Sequence, residues 1–438
     1  MLSHLSAARR LRCLAIAATF TAAGALHAEP IDILFVGNSY TFGRVDPVMS
    51  YNAANVHDLT APMYNNASNS NAQTGSNPYE PHPWGGVPGI FKMMTVEKGL
   101  DYDVSLSTRN AATLRGHYLN TSPAGWDMLG NIASKKWDAV VLQDQSDEPL
   151  PTGKGANANL ALFDFYANKI EQYVHQGILP GQDKATDKLV TTEGQLFGGP
   201  VSGKAAQRAA KCIAATGGAS NPNSLSQTAC NTSRTINGNP NENAAADVYL
   251  YQTWARPNMV AGARTSTTDP VTGAITTTST PATPYYNSLE EMTADLHDAY
   301  YGLFATNPNY KSVAPVGDAF MLAVQSGIAT RNPYAPDAGT DGLMDLWWDD
   351  NLHASKYGSY LSALTLFGSI TGLDPLSLGQ GEIAARDLGI NAQDALALQR
   401  IASQQLGFVQ QVPEPATAML TLAGLLAIAV GRRARKRT

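Results

Sequence analysis

Short apolar runs that stop abruptly at polar residues recur along this chain, with amphipathic stretches between them. The first is Ile33-Leu34-Phe35-Val36, which ends at Gly37 and gives way to Asn38, Ser39, Tyr40 and Thr41. Such a run is too short for a helix and suits a strand buried on both faces. Residues 137–142, 248–256 and 313–316 repeat the pattern, and residues 102–107 alternate like a second strand. Pro315 in 313–316 implies an edge strand or a bulge. Helical period predicts helices over 90–98, 158–176, 289–304, 355–369 and 392–404, and another ending near Gly327. A helix is also expected to begin at Asp46-Pro47-Val48 and run toward His57. Strands alternating with helices predict an α/β fold around a five-stranded parallel sheet.

Three stretches break the alternation. Residues near 58–88, 178–243 and 261–284 are rich in Asn, Ser, Thr, Gly or Pro and read as long loop insertions, with one helix expected over 204–215.

The candidate chemistry sits where strands end. Gly37-Asn38-Ser39 places the Ser39 hydroxyl at the carboxyl edge of the sheet, where open α/β sheets bind ligands. A serine after a strand usually caps the next helix. What raises Ser39 is Asp350-Asn351-Leu352-His353, an acid and an imidazole three residues apart, expected one above the other on a helical turn. Ser39 as nucleophile, His353 as base and Asp350 as orienter form a workable set, with Asp349 the alternate acid at a poorer offset.

With these residues the chain resembles the SGNH (GDSL-like) hydrolases, in which the serine follows the first strand and one Asp-x-x-His near the C-terminus supplies acid and base. The match is GNSYT at 37–41 and DNLH at 350–353, and the resemblance spans roughly residues 30–405. It implies a three-layer, flavodoxin-like α/β/α fold and an oxyanion hole built from three blocks. The Ser39 backbone N–H is the first donor. The second, a glycine N–H in the family, falls to Ala111 or Asn110 here. Gln145 stands where the family has an asparagine, within a Gln-x-Gln-Ser block that resembles a bacterial subgroup; the competing reading is that Gln143 and Gln145 only cap the next helix. Trp254 and Arg256, at the end of the fourth strand, are candidate substrate contacts, set against a core tryptophan and a surface ion pair. His117 reads as a packing or substrate-contact residue. There is no Gly-x-Ser-x-Gly elbow of the α/β-hydrolase kind.

The two ends carry addresses. Arg9, Arg10 and Arg12 precede an apolar stretch over 14–25, so residues 1–28 read as a secretory signal cut after Ala28. Val412-Pro413-Glu414-Pro415, the apolar run 416–430 and a basic end resemble the PEP-CTERM sorting signal, whose tails a membrane protease of the exosortase type removes in polysaccharide-exporting Gram-negative bacteria. The alternative is a retained transmembrane anchor. Export to the periplasm, cell envelope or exterior follows from either. Of 30 basic and 36 acidic residues, the two ends hold eight and one, leaving 22 against 35 and a net charge near −13 for the hydrolase-like body, 29–411. So acidic a body disfavours nucleic acid as a partner. Cys212 and Cys230 remain after the signal is cut, and an oxidising compartment predicts a disulfide between them. No Cys and His spacing reads as a metal site, and the acidic run 337, 341, 345, 349 and 350 lacks EF-hand spacing.

The expected activity is serine ester hydrolysis without a cofactor, most simply of O-acetyl groups on carbohydrate, with Trp84, Trp254, Trp347 and Trp348 as candidate aromatic surfaces. Lipase or general carboxylesterase action is the alternative within enzymes. A non-catalytic matrix or polysaccharide-binding protein is the alternative outside them.

Overall fold

A computed structural model describes residues 29–64, 82–121, 127–177, 187–198, 205–260, 264–268, 275–279, 284–335 and 337–409. The expected signal and sorting tail lie outside the described residues. Six parallel strands form the central sheet: β1 (Ile31–Gly37), β2 (His57–Asp58), β3 (Tyr102–Thr108), β4 (Ala139–Leu142), β5 (Asp247–Tyr251) and β6 (Tyr310–Ala314), in the order β6-β5-β4-β1-β3-β2. Ile33, Leu34, Phe35 and Val36 are all buried, although successive side chains point to opposite faces, so both faces are covered. Helices Gly86–Glu97, Lys356–Thr371 and Ala392–Gln405 form one packed group, which meets β1 where the Phe91 ring lies edge-on to Phe35. Helices Leu114–Leu119 and Leu160–Gln176 form another, joined to Leu289–Thr306 through the Phe163 and Tyr300 rings. The architecture is the expected α/β one, a mostly parallel sheet flanked by helices.

Two expectations fail on the β2 side. The sheet has six strands rather than five, and no helix runs from 46 to 57. That stretch is a series of turns and one short 3-10 segment (Ala53–Asn55) leading into β2. A two-residue edge strand made of His57 and Asp58 has no apolar run to announce it. At the other edge Pro315 lies just past the end of β6, where the chain leaves the sheet for the next helix; β6 also carries a register shift, between Tyr310 and Ser312.

The insertions contain regular structure. Lys188–Thr192 and Ser233–Asn237 pair antiparallel, and helices Glu193–Gly198, Ala205–Ala215 and Gln227–Asn231 lie between them in sequence. Cys212 and Cys230 are joined by a disulfide with Cα atoms 6.1 Å apart. Buried Glu193 ties this insertion to the core, accepting two hydrogen bonds from Arg115 (2.7 and 2.6 Å) and one from Tyr166 Oη. Arg264–Thr268 and Ile275–Ser279 form a second antiparallel pair.

The strand order explains where a site can form. From β1 the chain moves outward to β2 and β3 on one side, then crosses to β4, β5 and β6 on the other. The loops leaving β1 and β4 therefore part, and a crevice opens at their carboxyl ends.

Candidate functional site

Ser39 begins a one-turn helix, Ser39–Phe42, directly after β1. Asn38 caps it, Oδ1 accepting from Tyr40 N at 3.1 Å. The Asn38 amide nitrogen donates to Ala112 O (2.9 Å) and Asp144 O (3.2 Å), so one side chain ties the serine block to the blocks after β3 and β4. Gln143 reaches across from β4; its Oε1 accepts from Asn38 N (3.0 Å) and Thr41 Oγ1 (2.9 Å). Gly37 is required by this crowding, because a Cβ there would sit 2.3 Å from Thr41 Oγ1 and 2.6 Å from Gln143 Oε1.

His353 arrives from the far end of the chain. Its Nε2 lies 2.9 Å from Ser39 Oγ and its Nδ1 lies 2.6 Å from Asp350 Oδ2. Asp350 and His353 do not share a helical turn, as the sequence suggested. They sit in an irregular turn in which Asn351 takes a left-handed backbone (φ 55°) and Asp350 Oδ1 accepts from the N–H groups of Leu352 (3.0 Å) and His353 (2.9 Å). Burial raises the Asp350 pKa, but the hydrogen bonds and charge of His353 outweigh it and hold the carboxyl below its ordinary range. The carboxylate only accepts, so Nδ1 carries the ring proton and Nε2 is left to accept from the serine.

Ala111 stands where the resemblance asks for a glycine, and its backbone answers like one, with φ at 56°. Neither its N–H nor that of Ser39 has an acceptor among the described residues. Gln145 does more than either sequence reading allowed. Its Oε1 accepts from Asp147 N (2.9 Å) and Glu148 N (3.1 Å), capping the turn that follows β4 and not the next helix, which Asn159 caps. With the oxygen fixed by two donors, the amide nitrogen is oriented to donate, and it lies 3.3 Å from Ser146 Oγ. Beneath it, Asp144 Oδ1 accepts from Leu114 N (2.8 Å) and Gln145 N (2.7 Å), joining the second and third blocks. Burial pushes the Asp144 carboxyl up to about 6, and burial together with Asp144 holds Glu148 well above its ordinary range.

These groups surround a cavity of about 250 Å³ lined by Ser39, Ala111, Gln145, Ser146, Asp147, Arg256 and His353, with Asn38, Asn110 and Asn157 adding amides. Arg256 therefore faces the cleft. Trp254 does not: it is wholly buried, stacked between Tyr40 (3.9 Å) and Phe320 (4.8 Å), and this corrects its assignment as a substrate contact. Its Nε1 donates to Leu352 O at 3.1 Å, and Tyr40 Oη donates to the same carbonyl at 2.9 Å. The pair clamps the turn that carries His353. Trp84 and Trp347 are likewise core residues, and Trp348, 39 % exposed, is not among the cavity's lining residues. His117 is fully buried, its Nε2–H donating to Gly37 O at 2.8 Å, and burial pushes its pKa down to about 4. Asn38, Tyr40 and Asp144 were given no role from the sequence, and Gln143, read there only as a cap of the next helix, instead ties β4 to the serine block.

Among the described residues no group of three or more His, Cys, Asp or Glu is placed to hold a metal ion, and no helix is long and apolar enough to cross a membrane. Residues 411–436 match the PEP-CTERM protein-sorting motif, which implies export, a C-terminal sorting signal and processing there by an exosortase. No curated protein matches the sequence. Two solved structures are similar at a distance. One is a protein from Slackia heliotrinireducens provisionally assigned as an SGNH hydrolase, 13 % identical, with a TM-score of 0.33 over 78 % of this chain and 99 % of that one. The other is a DUF4886 family protein from Bacteroides uniformis, 11 % identical, with a TM-score of 0.39 over 88 % of this chain and 98 % of that one.

Proposed function

We propose that this exported protein is a serine esterase acting on short acyl groups, most simply O-acetyl groups on carbohydrate. The observation that carries the reading is the continuous chain from Ser39 Oγ through His353 to Asp350, closed at 2.9 and 2.6 Å by residues 314 positions apart at their extremes. In the proposed reaction Ser39 Oγ attacks the ester carbonyl while His353 Nε2 takes its proton. Asp350 keeps the proton on Nδ1 and stabilises the imidazolium. The oxyanion is received by the N–H groups of Ser39 and Ala111 and by Gln145 Nε2. Collapse expels the alcohol, which takes the proton from Nε2, and water then releases the acid by the same steps. A small cavity lined largely by amide, hydroxyl and charged side chains supports a polar alcohol portion and a short acyl group over a long hydrocarbon chain. Hydrolysis of 4-nitrophenyl acetate by the wild type and by Ser39→Ala tests the reading. The expected difference is about a thousandfold or more; equal rates would remove the proposal.

A further inference from the structure

Two arginines line the cleft without a part in the chemistry proposed above: Arg44, whose Nη1 donates to Asn110 Oδ1 at 3.0 Å, and Arg256, which is held beside Gln145. Arg256 lies in the segment that follows β5, immediately before the helix that begins at Pro257, and its side chain is 12 % exposed. The guanidinium is fixed from one side: Nη1 donates to Ser146 Oγ (2.9 Å) and to Asp147 Oδ1 (3.3 Å), and Nε donates to Asn258 Oδ1 (3.1 Å). Nη2 has no acceptor among the described residues. Its two N–H groups belong to a side chain that lines the same cavity as Ser39 and His353. Asp147, the only carboxylate in that lining, does not compete for an incoming anion's place. It is 2 % exposed at the side chain, and both oxygens are engaged, Oδ1 by Asn157 Nδ2 (3.1 Å) and Arg256, Oδ2 by Asn157 N (3.1 Å). A guanidinium held on three bonds with one amino group left over needs little ordering to receive a planar anion. In a body whose net charge is near −13, general electrostatic attraction does not bring anions here; a local donor must.

The geometry points to Arg256 as a carboxylate-binding residue, so that the preferred esters are those carried by sugar acids. This rests on the esterase reading: Arg256 takes the carboxylate of a uronic acid while the acetyl group on the same or the adjoining sugar lies at Ser39. Bonds to Ser146 and Asp147 place the guanidinium beside the Gln145 turn, so anion binding and oxyanion stabilisation share one wall of the cleft.

The full chain is assayed on a monoacetylated methyl glucuronoside and its glucoside counterpart, with 4-nitrophenyl acetate as the uncharged reference. Wild type should favour the glucuronoside by about tenfold or more in kcat/KM at low ionic strength, less as salt is added. In Arg256→Gln the ratio should fall to about one. Because that change leaves Asp147 buried without its cation, the double variant Arg256→Gln/Asp147→Asn serves if the single one does not fold. Free glucuronate, and not glucose, should also compete with 4-nitrophenyl acetate in the wild type. Equal kcat/KM for the two sugars, or a preference that survives loss of Arg256, would overturn the assignment while leaving the esterase intact. If 4-nitrophenyl acetate is not hydrolysed at all, the esterase reading fails, and calorimetric titration of glucuronate into wild type and Arg256→Gln decides the binding claim alone.

Discussion

Ser39 and His353 reach the same cleft by opposite constructions. Ser39 is carried on the central strand, and its surroundings are stitched to the neighbouring strand's end by Asn38 and Gln143, with His117 bonded to the Gly37 carbonyl beneath. His353 is carried on a turn with a left-handed residue in it, fixed by an Asp350 carboxylate and by two aromatic donors converging on Leu352 O. The first half is positioned by the sheet, the second by a few side chains that grip a loop. The difference teaches that stability and geometry should respond separately on the two sides.

That separation can be broken deliberately. Asp350→Asn retains shape on the histidine side but removes the carboxylate that fixes the ring proton; the expected loss in kcat is about ten-thousandfold, with folding unchanged by circular dichroism. An activity within tenfold of wild type would show that the turn, not the charge, orients His353. Gln145→Ala removes one of the proposed oxyanion donors and should cost about 3 kcal/mol of activation free energy, read as kcat on 4-nitrophenyl acetate. A change in KM alone would assign Gln145 to ground-state binding instead.

On the serine side the lever is acid. His117 has its folded pKa depressed to about 4 against an ordinary 6.5, so the unfolded chain binds the extra proton between those values. Its contribution is complete above pH 6.5 and is lost as pH falls toward 4, a swing of up to about 3 kcal/mol. Asp144 and Glu148, raised by burial, act in the opposite sense as pH rises, so wild type alone would blur the effect. The difference in unfolding free energy between wild type and His117→Gln isolates it. That difference should widen from pH 4 to 6.5 and then level off; parallel curves would contradict the assignment. Smallest is Trp254→Phe, which keeps the stack with Tyr40 and deletes the bond to Leu352 O. A loss of about 1 kcal/mol in activation is expected, with no change in affinity for substrate, because the indole does not touch the cleft.

How much of this was legible beforehand follows the same division. β1 and β4 are written as apolar runs ending at polar residues, because a strand buried on both faces leaves little choice of side chain, and β3 is legible through alternation instead. Asp350 and His353 were visible as a spaced pair, but the turn that joins them was not, since its geometry depends on Asn351 tolerating a left-handed backbone and on Tyr40 and Trp254 from the segments that follow β1 and β5. Trp254 misled for a related reason: an aromatic residue at a strand's carboxyl end can face the cleft or lie under it, and only Tyr40 and Phe320 decide which. β2 was invisible because two polar residues at an edge carry no period. Ala111 shows the converse, a backbone conformation that its neighbours impose on a residue whose identity does not suggest it.

The central claim, that the Ser39 oxygen is made reactive by His353, is tested most directly by covalent labelling with a fluorophosphonate and mass spectrometry of the digested protein. The account predicts a single adduct on Ser39, formed at least about a hundredfold more slowly in His353→Ala. No adduct on Ser39, or labelling at an undiminished rate without His353, would contradict it.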